Sequence, residues 1–377
     1  MLQPLVHRMT KTSRLHSLDS LRAIMMLLGL VLHSSESYNI GDNDIWPRDP
    51  MSTHIFLNYL NSLIHVFRMP VFFMVAGFFG ALLFYERGPK PMITNRMKRI
   101  ALPFMVFLLA LHPIIILAFD FTSNAFNAPL SDISLALTFF PQITYHLWFL
   151  YYLILLTLFS FGLALLLNRA PGFRQKINST FRWLMDRKPL AILAFGMALF
   201  IVMLYIWDYS VPTPLSFIPD AGDFLFFLLF YLTGWVLYTS KYPLNSLMKN
   251  DWLFTSLSVI AFTIRFVWSS SIDDVSIGII HAVITWMFVF GITGLFIRYT
   301  SQYSSRMRYV SDSSYWVFLV HLPLTAFIPG LMAGWIVPAI IKFLITLIST
   351  TAICLVTYHY WVRSTGIGQF LNGRKYS

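Results

Sequence analysis

Long apolar segments separated by short polar loops run through most of the chain. Each segment is about as long as an α-helix that crosses the hydrocarbon core of a bilayer. In lipid a segment must satisfy its own backbone hydrogen bonds, so such runs predict helices. The pattern therefore predicts an all-α integral membrane protein with about ten transmembrane helices. We place the predicted spans at roughly 18–38, 62–85, 100–119, 145–167, 189–207, 222–239, 252–269, 275–297, 312–329 and 335–361.

The positive charges are distributed unequally between the two sets of loops. All but five of the 27 Lys and Arg residues fall in loops on one side, including Arg8, Arg87, Arg187 and Lys375. The opposite loops contain Arg48 and an excess of Asp. The positive-inside rule then predicts cytoplasmic termini, with an N-terminal tail over 1–17 and a C-terminal tail over 363–377. The remaining cations lie within predicted spans: Arg22, Arg68, Arg265 and Lys342.

Composition supports a single membrane domain over 1–377. The chain is 57% hydrophobic and only 11% charged, whereas soluble domains carry about a quarter charged residues. The net charge of +11 follows the loops, so it indicates topology rather than nucleic-acid binding. With Cys354 as its single cysteine, the chain can form neither an internal disulfide nor a thiolate metal cluster. We expect no metal site and no tightly bound cofactor.

The first span carries the most informative polar residues. Arg22 and His33 are eleven residues apart, about 16 Å along a helix and on nearly the same face. Asp19 and Glu36 flank them. Ionisable side chains inside a span are costly, so by default they mark a functional site. The topology places Arg22 near the cytoplasmic leaflet and His33 toward the outer one.

Other deep polar residues are expected to converge with His33 toward the outer leaflet. They are Arg68 in the second span, His146 at the start of the fourth and His321 in the ninth. An imidazole titrates near neutral pH and can accept a proton from a hydroxyl group, while an arginine can stabilise a developing oxyanion. Arg22, Arg96, Lys98 and Arg99 gather instead at the cytoplasmic face, where arginine can bind phosphate in bidentate fashion.

Several of these residues also have a purely structural interpretation. Arg96, Lys98 and Arg99 are typical topology determinants, and Asp19 with Arg22 is typical of a local salt bridge. Side chains near span ends can reach headgroups or water, which applies to His65, His146, His281, His359 and, by snorkelling, Lys342. Trp148, Trp252, Trp268 and Trp361 also suit an interfacial aromatic belt. For His33, Arg68 and His321 we favour function, because they are deep. These residues alone do not separate an enzyme from a transporter or flippase that uses them for anion or proton coupling.

Five sequence blocks resemble the motifs of the membrane acyltransferase 3 family, and within it the glucan biosynthesis protein C group. They occur in the expected order from about Leu18 to Pro323. LDSLRAIMMLLGLVLH resembles the Arg-x10-His signature, and IHVFRMPVFFMVAGF resembles the second motif. The later blocks are RMKRIALPF, HLWFLYYL and SSYWVFLVHLPL.

The resemblance implies an enzyme of the bacterial inner membrane. It would move an acyl group, succinyl or acetyl, from cytoplasmic acyl-coenzyme A to a sugar hydroxyl on a periplasmic or cell-surface glycan. The group implies succinylation of osmoregulated periplasmic glucan. We expect the coenzyme A phosphates to lie against Arg96, Arg99 and Arg22, with Asp19 orienting Arg22. His33 would act as general base or, alternatively, as a covalent acyl carrier. Arg68 and His321 would stabilise or position the intermediate.

Acceptor contacts are assigned to residues on two grounds. His146, Trp148 and Tyr315 lie in the matched motifs, whereas Glu36 and Arg265 are assigned on the physical argument alone. A succinyl group ends in a carboxylate, for which Arg68, Arg265 or Lys342 would be a suitable cation. The sequence leaves the acyl group, the acceptor and the oligomeric state open.

Overall fold

The computed structural model describes residues 15–41, 46–127, 140–206, 209 and 211–373. Over these residues the chain is helical and contains no strand. The first helices are α1 (His16–Ser35), α2 (Ile55–Arg87), α3 (Pro89–Arg96), α4 (Leu102–Ala125), α5 (Trp148–Asn168), α6 (Pro171–Met185) and α7 (Lys188–Ile206). They are followed by α8 (Ala221–Thr239), α9 (Asp251–Val267), α10 (Asp274–Tyr299), α11 (Ser305–Leu331), α12 (Ala339–Thr357) and α13 (Gly366–Asn372).

Two π-helical turns extend this set. Met97–Ala101 joins α3 to α4, and Tyr358–Val362 follows α12. A π turn adds a residue to the helical repeat, so it changes the direction of the side chains that follow it. Arg99 lies in the first of these turns.

Nine helical segments in the described part of the chain are long and apolar enough to cross a membrane. They confirm the predicted fold class of a multi-pass, all-α membrane protein. The second span is longer than predicted, 55–87 instead of 62–85. The predicted span at 252–269 corresponds to α9, whose 17 residues extend about 25 Å, at the lower limit of length for a helix that crosses the hydrocarbon core.

The helix α1 lies inside the bundle and packs against α2, α10, α11 and α12. Helices α2 and α8 are packed most closely, and their backbones approach each other at two glycines. A Cβ atom added at Gly77 or Gly234 would overlap the backbone carbonyl of Tyr231 or Met74, respectively. Close packing of this kind is typical of membrane helices that meet through small residues. It fixes α2, the helix that carries Arg68.

Both described ends of the chain lie at the same end of the bundle. Leu15 before α1 and Asn372 in α13 line one cavity, and the Asn372 amide donates to the Asp312 carbonyl at 3.1 Å. We name this the Arg22 end, and the opposite one the His33 end. Which end faces the cytoplasm remains a prediction. Some of the charges behind it lie outside the described residues: Arg8, Lys11, Arg14, Asp42, Asp44, Asp132, Asp208, Arg374 and Lys375.

Lys342 is the one in-span cation whose structural interpretation was wrong. It does not snorkel outward, because its Nζ donates to the Asp49 carboxylate at 2.5 Å and both side chains are inaccessible to solvent. Nearby, the Tyr38 and Thr346 hydroxyls are 3.3 Å apart. A buried ammonium needs such a counter-charge. The pair therefore attaches the segment after α1 to α12.

Candidate active site

Three histidines from distant parts of the sequence meet at the His33 end of α1. The ring of His321 on α11 lies 5.3 Å from that of His33 and 5.1 Å from that of His146, measured between centroids. The side chains of His146 and His321 are buried, and that of His33 is half-buried. The three residues therefore meet, as expected from the sequence.

Backbone carbonyls fix the tautomers of two of these rings. Nδ1 of His321 lies 2.7 Å from the Phe318 carbonyl oxygen, and Nε2 of His146 lies 3.0 Å from that of Leu319. A carbonyl only accepts, so these nitrogens carry the protons. The other ring nitrogens, Nε2 of His321 and Nδ1 of His146, are buried and have no hydrogen-bond partner among the described residues. Each is an unprotonated base facing the interior.

The sequence explains why the Leu319 carbonyl can hold His146. Pro323 lies four residues after Leu319 inside α11. Proline has no N–H, so it cannot donate to the carbonyl one turn earlier. The carbonyl of Leu319 thus lacks its helical donor and accepts from His146 instead. The motif His321-Leu-Pro323 therefore supplies one histidine and frees the carbonyl that holds another.

His33 differs from its two neighbours. Its Nδ1 is buried without a hydrogen-bond partner in the described structure. One face of its ring stacks on Trp46, with centroids 5.6 Å apart and an interplanar angle of 17°. Packing rather than a hydrogen bond positions this ring, which leaves its nitrogens available to a substrate. Trp46 lies in a loop, and the sequence analysis did not identify it.

Arg68 supplies the positive charge beside His33. Its side chain is 7% exposed and its Nε has no partner among the described residues. The guanidinium lies against Gly29 on α1, where an added Cβ would overlap Nη1. Glu36 lies within electrostatic range of Arg68, and its Oε1 accepts from Asn61 at 2.9 Å. The carboxylate of Glu36 is thus a counter-charge for Arg68, and it lies within electrostatic range of Arg48 as well.

These residues enclose a very small cavity, which we name the histidine chamber. It has a volume of about 20 Å³. That is room for about one water molecule. The lining residues are Met25, Met26, His33, Arg68, Met69, Phe72, His146, Trp148, Phe149 and Phe318.

A much larger cavity opens at the Arg22 end, with a volume of about 500 Å³. We name it the arginine cavity after the four arginines that line it: Arg22, Arg87, Arg96 and Arg99. Arg22 donates to Asp19 at 3.3 Å and its side chain is 39% exposed. Nε of Arg96 is buried without a partner among the described residues. The cavity has the size and charge of a site for a polyanionic ligand.

Three features of this cavity differ from expectation. Lys98, grouped with the basic cluster in the sequence analysis, is exposed and is not among the residues that line the cavity. Arg87, interpreted only as a loop charge, does line it. Helical spacing accounts for the position of Lys98, because Arg96 and Arg99 are three residues apart and share a face of the helix that Lys98 does not. Tyr315, assigned from the sequence to the acceptor, lines this cavity and not the histidine chamber, so that assignment was wrong; its hydroxyl donates to the Arg99 carbonyl at 3.0 Å.

The two cavities share a wall. Met26, Phe72 and Phe149 line both the arginine cavity and the histidine chamber. A ligand in the arginine cavity is therefore separated from the histidine chamber by these three residues.

Other predicted residues lie at varying distances from the centre. Trp148 lines the histidine chamber and is buried, so its interpretation as an interfacial belt residue was wrong. His146 and His281 are likewise buried and do not reach headgroups. Arg265 lies within electrostatic range of His281 and lines neither cavity. Cys354 is buried beside Leu30, outside both cavities.

Comparison with known proteins identifies one matching family. The family model described as an acyltransferase domain matches residues 15–359. A relative named Glucans biosynthesis protein C from Salmonella schwarzengrund (strain CVM19633) is 27% identical over 371 residues, covering 93% of this chain and 92% of that protein. The protein of the same name from Salmonella agona (strain SL483) is 27% identical over 364 residues, with the same coverage. No solved structure matches the chain.

Proposed function

Because the chain belongs to the acyltransferase family, whose domain spans residues 15–359, we propose that it transfers a succinyl group from acyl-coenzyme A to a glucan hydroxyl. Acetyl transfer is the alternative for the acyl group. The observation that carries the proposal is the shared wall between a cavity lined by arginines and a chamber lined by histidines. An anionic donor and a proton acceptor are thereby held on either side of Met26, Phe72 and Phe149.

Acyl-coenzyme A is the donor that suits the arginine cavity. Its phosphates are polyanionic, and arginine binds phosphate through two parallel N–H donors. Arg96 and Arg99 would hold the phosphates, with Arg22 kept in place by Asp19. The pantetheine arm would then extend along α1 and bring the thioester to His33. The donor is a co-substrate that leaves as coenzyme A.

The reaction in the histidine chamber is a direct acyl transfer. His33 accepts the proton of the acceptor hydroxyl while the oxygen attacks the thioester carbonyl carbon. Arg68 stabilises the oxyanion of the tetrahedral intermediate. The carbon–sulfur bond then breaks, the acyl group remains on the sugar oxygen, and the proton passes to the thiolate to give coenzyme A.

His321 has a narrower role than stabilising the oxyanion. Its N–H is already committed to the Phe318 carbonyl, so the neutral ring has no donor left for an oxyanion. Its free Nε2 is suited to accept a proton or a hydrogen bond from His33 or the acceptor. We assign His321 and His146 to positioning and proton transfer beside His33.

Arg68 is also the residue best placed to recognise a succinyl carboxylate. Of the three candidate cations, Arg68 lines the histidine chamber, Arg265 does not, and Lys342 is neutralised by Asp49. The same guanidinium can bind a carboxylate through one edge and an oxyanion through another, because it presents five N–H donors.

The acceptor and the sidedness complete the proposal. The relatives' name, Glucans biosynthesis protein C, supports a glucan acceptor. The basic loops support a cytoplasmic Arg22 end and a periplasmic His33 end in a bacterial inner membrane. Glu36, Asn61 and Trp46 then lie on the acceptor side of His33.

Mass spectrometry of periplasmic and surface glycans tests the function directly. Glycans from cells with the gene, without it, and complemented with the gene or its His33→Ala variant are compared. We expect glucan succinate esters in the first strain, none in the second, and restoration by the wild-type gene alone. Unchanged succinylation after deletion would contradict the proposal, and loss of acetyl instead of succinyl esters would change the acyl group.

A further inference from the structure

We infer that Met26, Phe72 and Phe149 form a size selector for the acyl group. We name these three residues the acyl selector. They are the side chains shared by the arginine cavity and the histidine chamber. The inference rests on the proposed acyl transfer and adds to it a set of residues that determine which acyl groups are used.

The volumes of the two cavities imply that the acyl selector must move before a thioester can reach His33. The arginine cavity has about 500 Å³ and the histidine chamber about 20 Å³. A chamber that holds about one water molecule does not accommodate even an acetyl group. A thioester therefore reaches His33 only when part of the wall moves, and the extent of that movement limits the size of the acyl group.

The three side chains differ in how easily they move. Phe72 and Phe149 pack edge to face with centroids 4.8 Å apart, and Phe149 packs on Phe318 in the same manner at 4.5 Å. Such contacts hold aromatic rings in fixed orientations. Met26 is unbranched and has three rotatable bonds. Its Sδ lies 4.0 Å from the Ser314 hydroxyl, at the edge of the arginine cavity. Met26 is thus the moving part, and the two phenylalanines set the width of the opening.

The selector also matches the chemistry of a succinyl donor. Its side chains are apolar, so they contact the methylene groups of the acyl chain. The carboxylate at the chain's end would reach Arg68, which lines the chamber beyond them. The acyl selector would then limit the length of the acyl chain, and Arg68 would recognise the charge at its end.

Kinetics with a series of acyl donors tests the inference. The rates of the purified protein are measured with acetyl-, propionyl-, butyryl-, hexanoyl- and succinyl-coenzyme A. Met26→Ala and Phe149→Leu are expected to raise kcat/KM for hexanoyl relative to acetyl by roughly tenfold or more, the scale of discrimination by one methylene in an apolar pocket. Met26→Phe places a bulkier side chain in the wall and so narrows the opening. It is expected to lower kcat/KM for succinyl-coenzyme A relative to that for acetyl-coenzyme A.

Phe84→Leu is the matched control. Phe84 is a buried phenylalanine on the same helix as Phe72 and lines neither cavity. It is expected to leave the ratios between donors unchanged, even if it lowers the amount of folded protein, because ratios do not depend on enzyme concentration. Transfer with unchanged donor ratios in all three selector variants would overturn the inference alone. Absence of transfer by the wild-type protein from every donor would overturn the proposed function and the inference together.

Discussion

His146 donates a hydrogen bond from Nε2 to the carbonyl oxygen of Leu319 at 3.0 Å. The bond joins the short helical turn just before α5 to the middle of α11, 173 residues later in the chain. It exists because Pro323 removes the N–H that would otherwise bind this carbonyl. A helix-breaking residue thereby orients a histidine on a different helix.

Restoring the missing N–H should disturb that histidine. Pro323→Ala is expected to form the regular helical bond to Leu319 and to weaken the bond from His146. A net hydrogen bond contributes about 0.5–1.5 kcal/mol, so kcat should fall up to roughly tenfold with KM for the acyl donor little changed. Pro329→Ala, in the same helix and outside both cavities, is the matched control. Steady-state kinetics with equal kcat for the two variants would argue against the role of Pro323.

Gly29→Ala tests whether the place of Arg68 matters to the reaction. The new methyl group would overlap Nη1 and push the guanidinium away from α1. Alanine stabilises a helix by roughly 0.5–1 kcal/mol over glycine, which offsets part of the cost of displacing the buried guanidinium. Transfer should nevertheless fall up to about a hundredfold, as when an oxyanion donor is lost.

Gly162→Ala is the control for that experiment. Gly162 lies in α5, and an added Cβ would meet no atom within 4 Å. Thermal unfolding measures the stability of both variants, and activity per folded protein should fall for Gly29→Ala alone. Full activity of Gly29→Ala would mean that the position of Arg68 is not critical.

Arg99→Ala is expected to weaken donor binding. Loss of a hydrogen bond to a charged group costs about 1.5–3 kcal/mol, which corresponds to a roughly ten- to hundredfold higher KM for acyl-coenzyme A. Lys98→Ala removes the same charge from the neighbouring position, which lies outside the cavity. Initial rates at varied donor concentration separate the two. An equal rise in KM for both would indicate a general effect of surface charge.

The buried Asp49–Lys342 pair should be a stability element with no part in the chemistry. Removing one member, as in Asp49→Asn, leaves an uncompensated buried charge and should cost roughly 3–5 kcal/mol. The double variant Asp49→Asn with Lys342→Met should recover much of that loss. Thermal unfolding in detergent measures both. A single variant as stable as the wild-type protein would show that the ion pair does not hold α12 in place.

Much of the architecture could be predicted from the sequence, because hydrophobic length is a direct physical requirement of the bilayer. The meeting of His33, His146 and His321 could also be predicted, since alternating topology gives each residue a depth. The depth of a residue in the membrane does not, however, show which way its side chain faces around the helix. Lys98 and Arg99 are adjacent in the chain and at nearly the same depth, yet Arg99 lines the arginine cavity and Lys98 does not.

What could not be predicted depends on partners that are distant in sequence. Lys342 pairs with Asp49, 293 residues away, and no local pattern indicates that pairing. Trp46 stacks on His33 from a loop. Arg265 is also an arginine within a predicted span, but it is half-buried and lies within electrostatic range of His281 instead. The hydrophobic pattern of the sequence shows that a charged residue lies within a span, but it does not show which residue neutralises that charge.

Acyl transfer in proteoliposomes tests the central claim most directly. Purified wild-type, His33→Ala and His359→Ala proteins are reconstituted with labelled succinyl-coenzyme A and glucan. His359 is exposed and lines neither cavity, so it is the matched control. We expect coenzyme A release and labelled glucan from the wild-type and His359→Ala proteins. For His33→Ala we expect a loss of roughly a hundredfold or more, the scale of general base catalysis. Undiminished transfer by His33→Ala, or solute flux without thioester cleavage, would contradict the account.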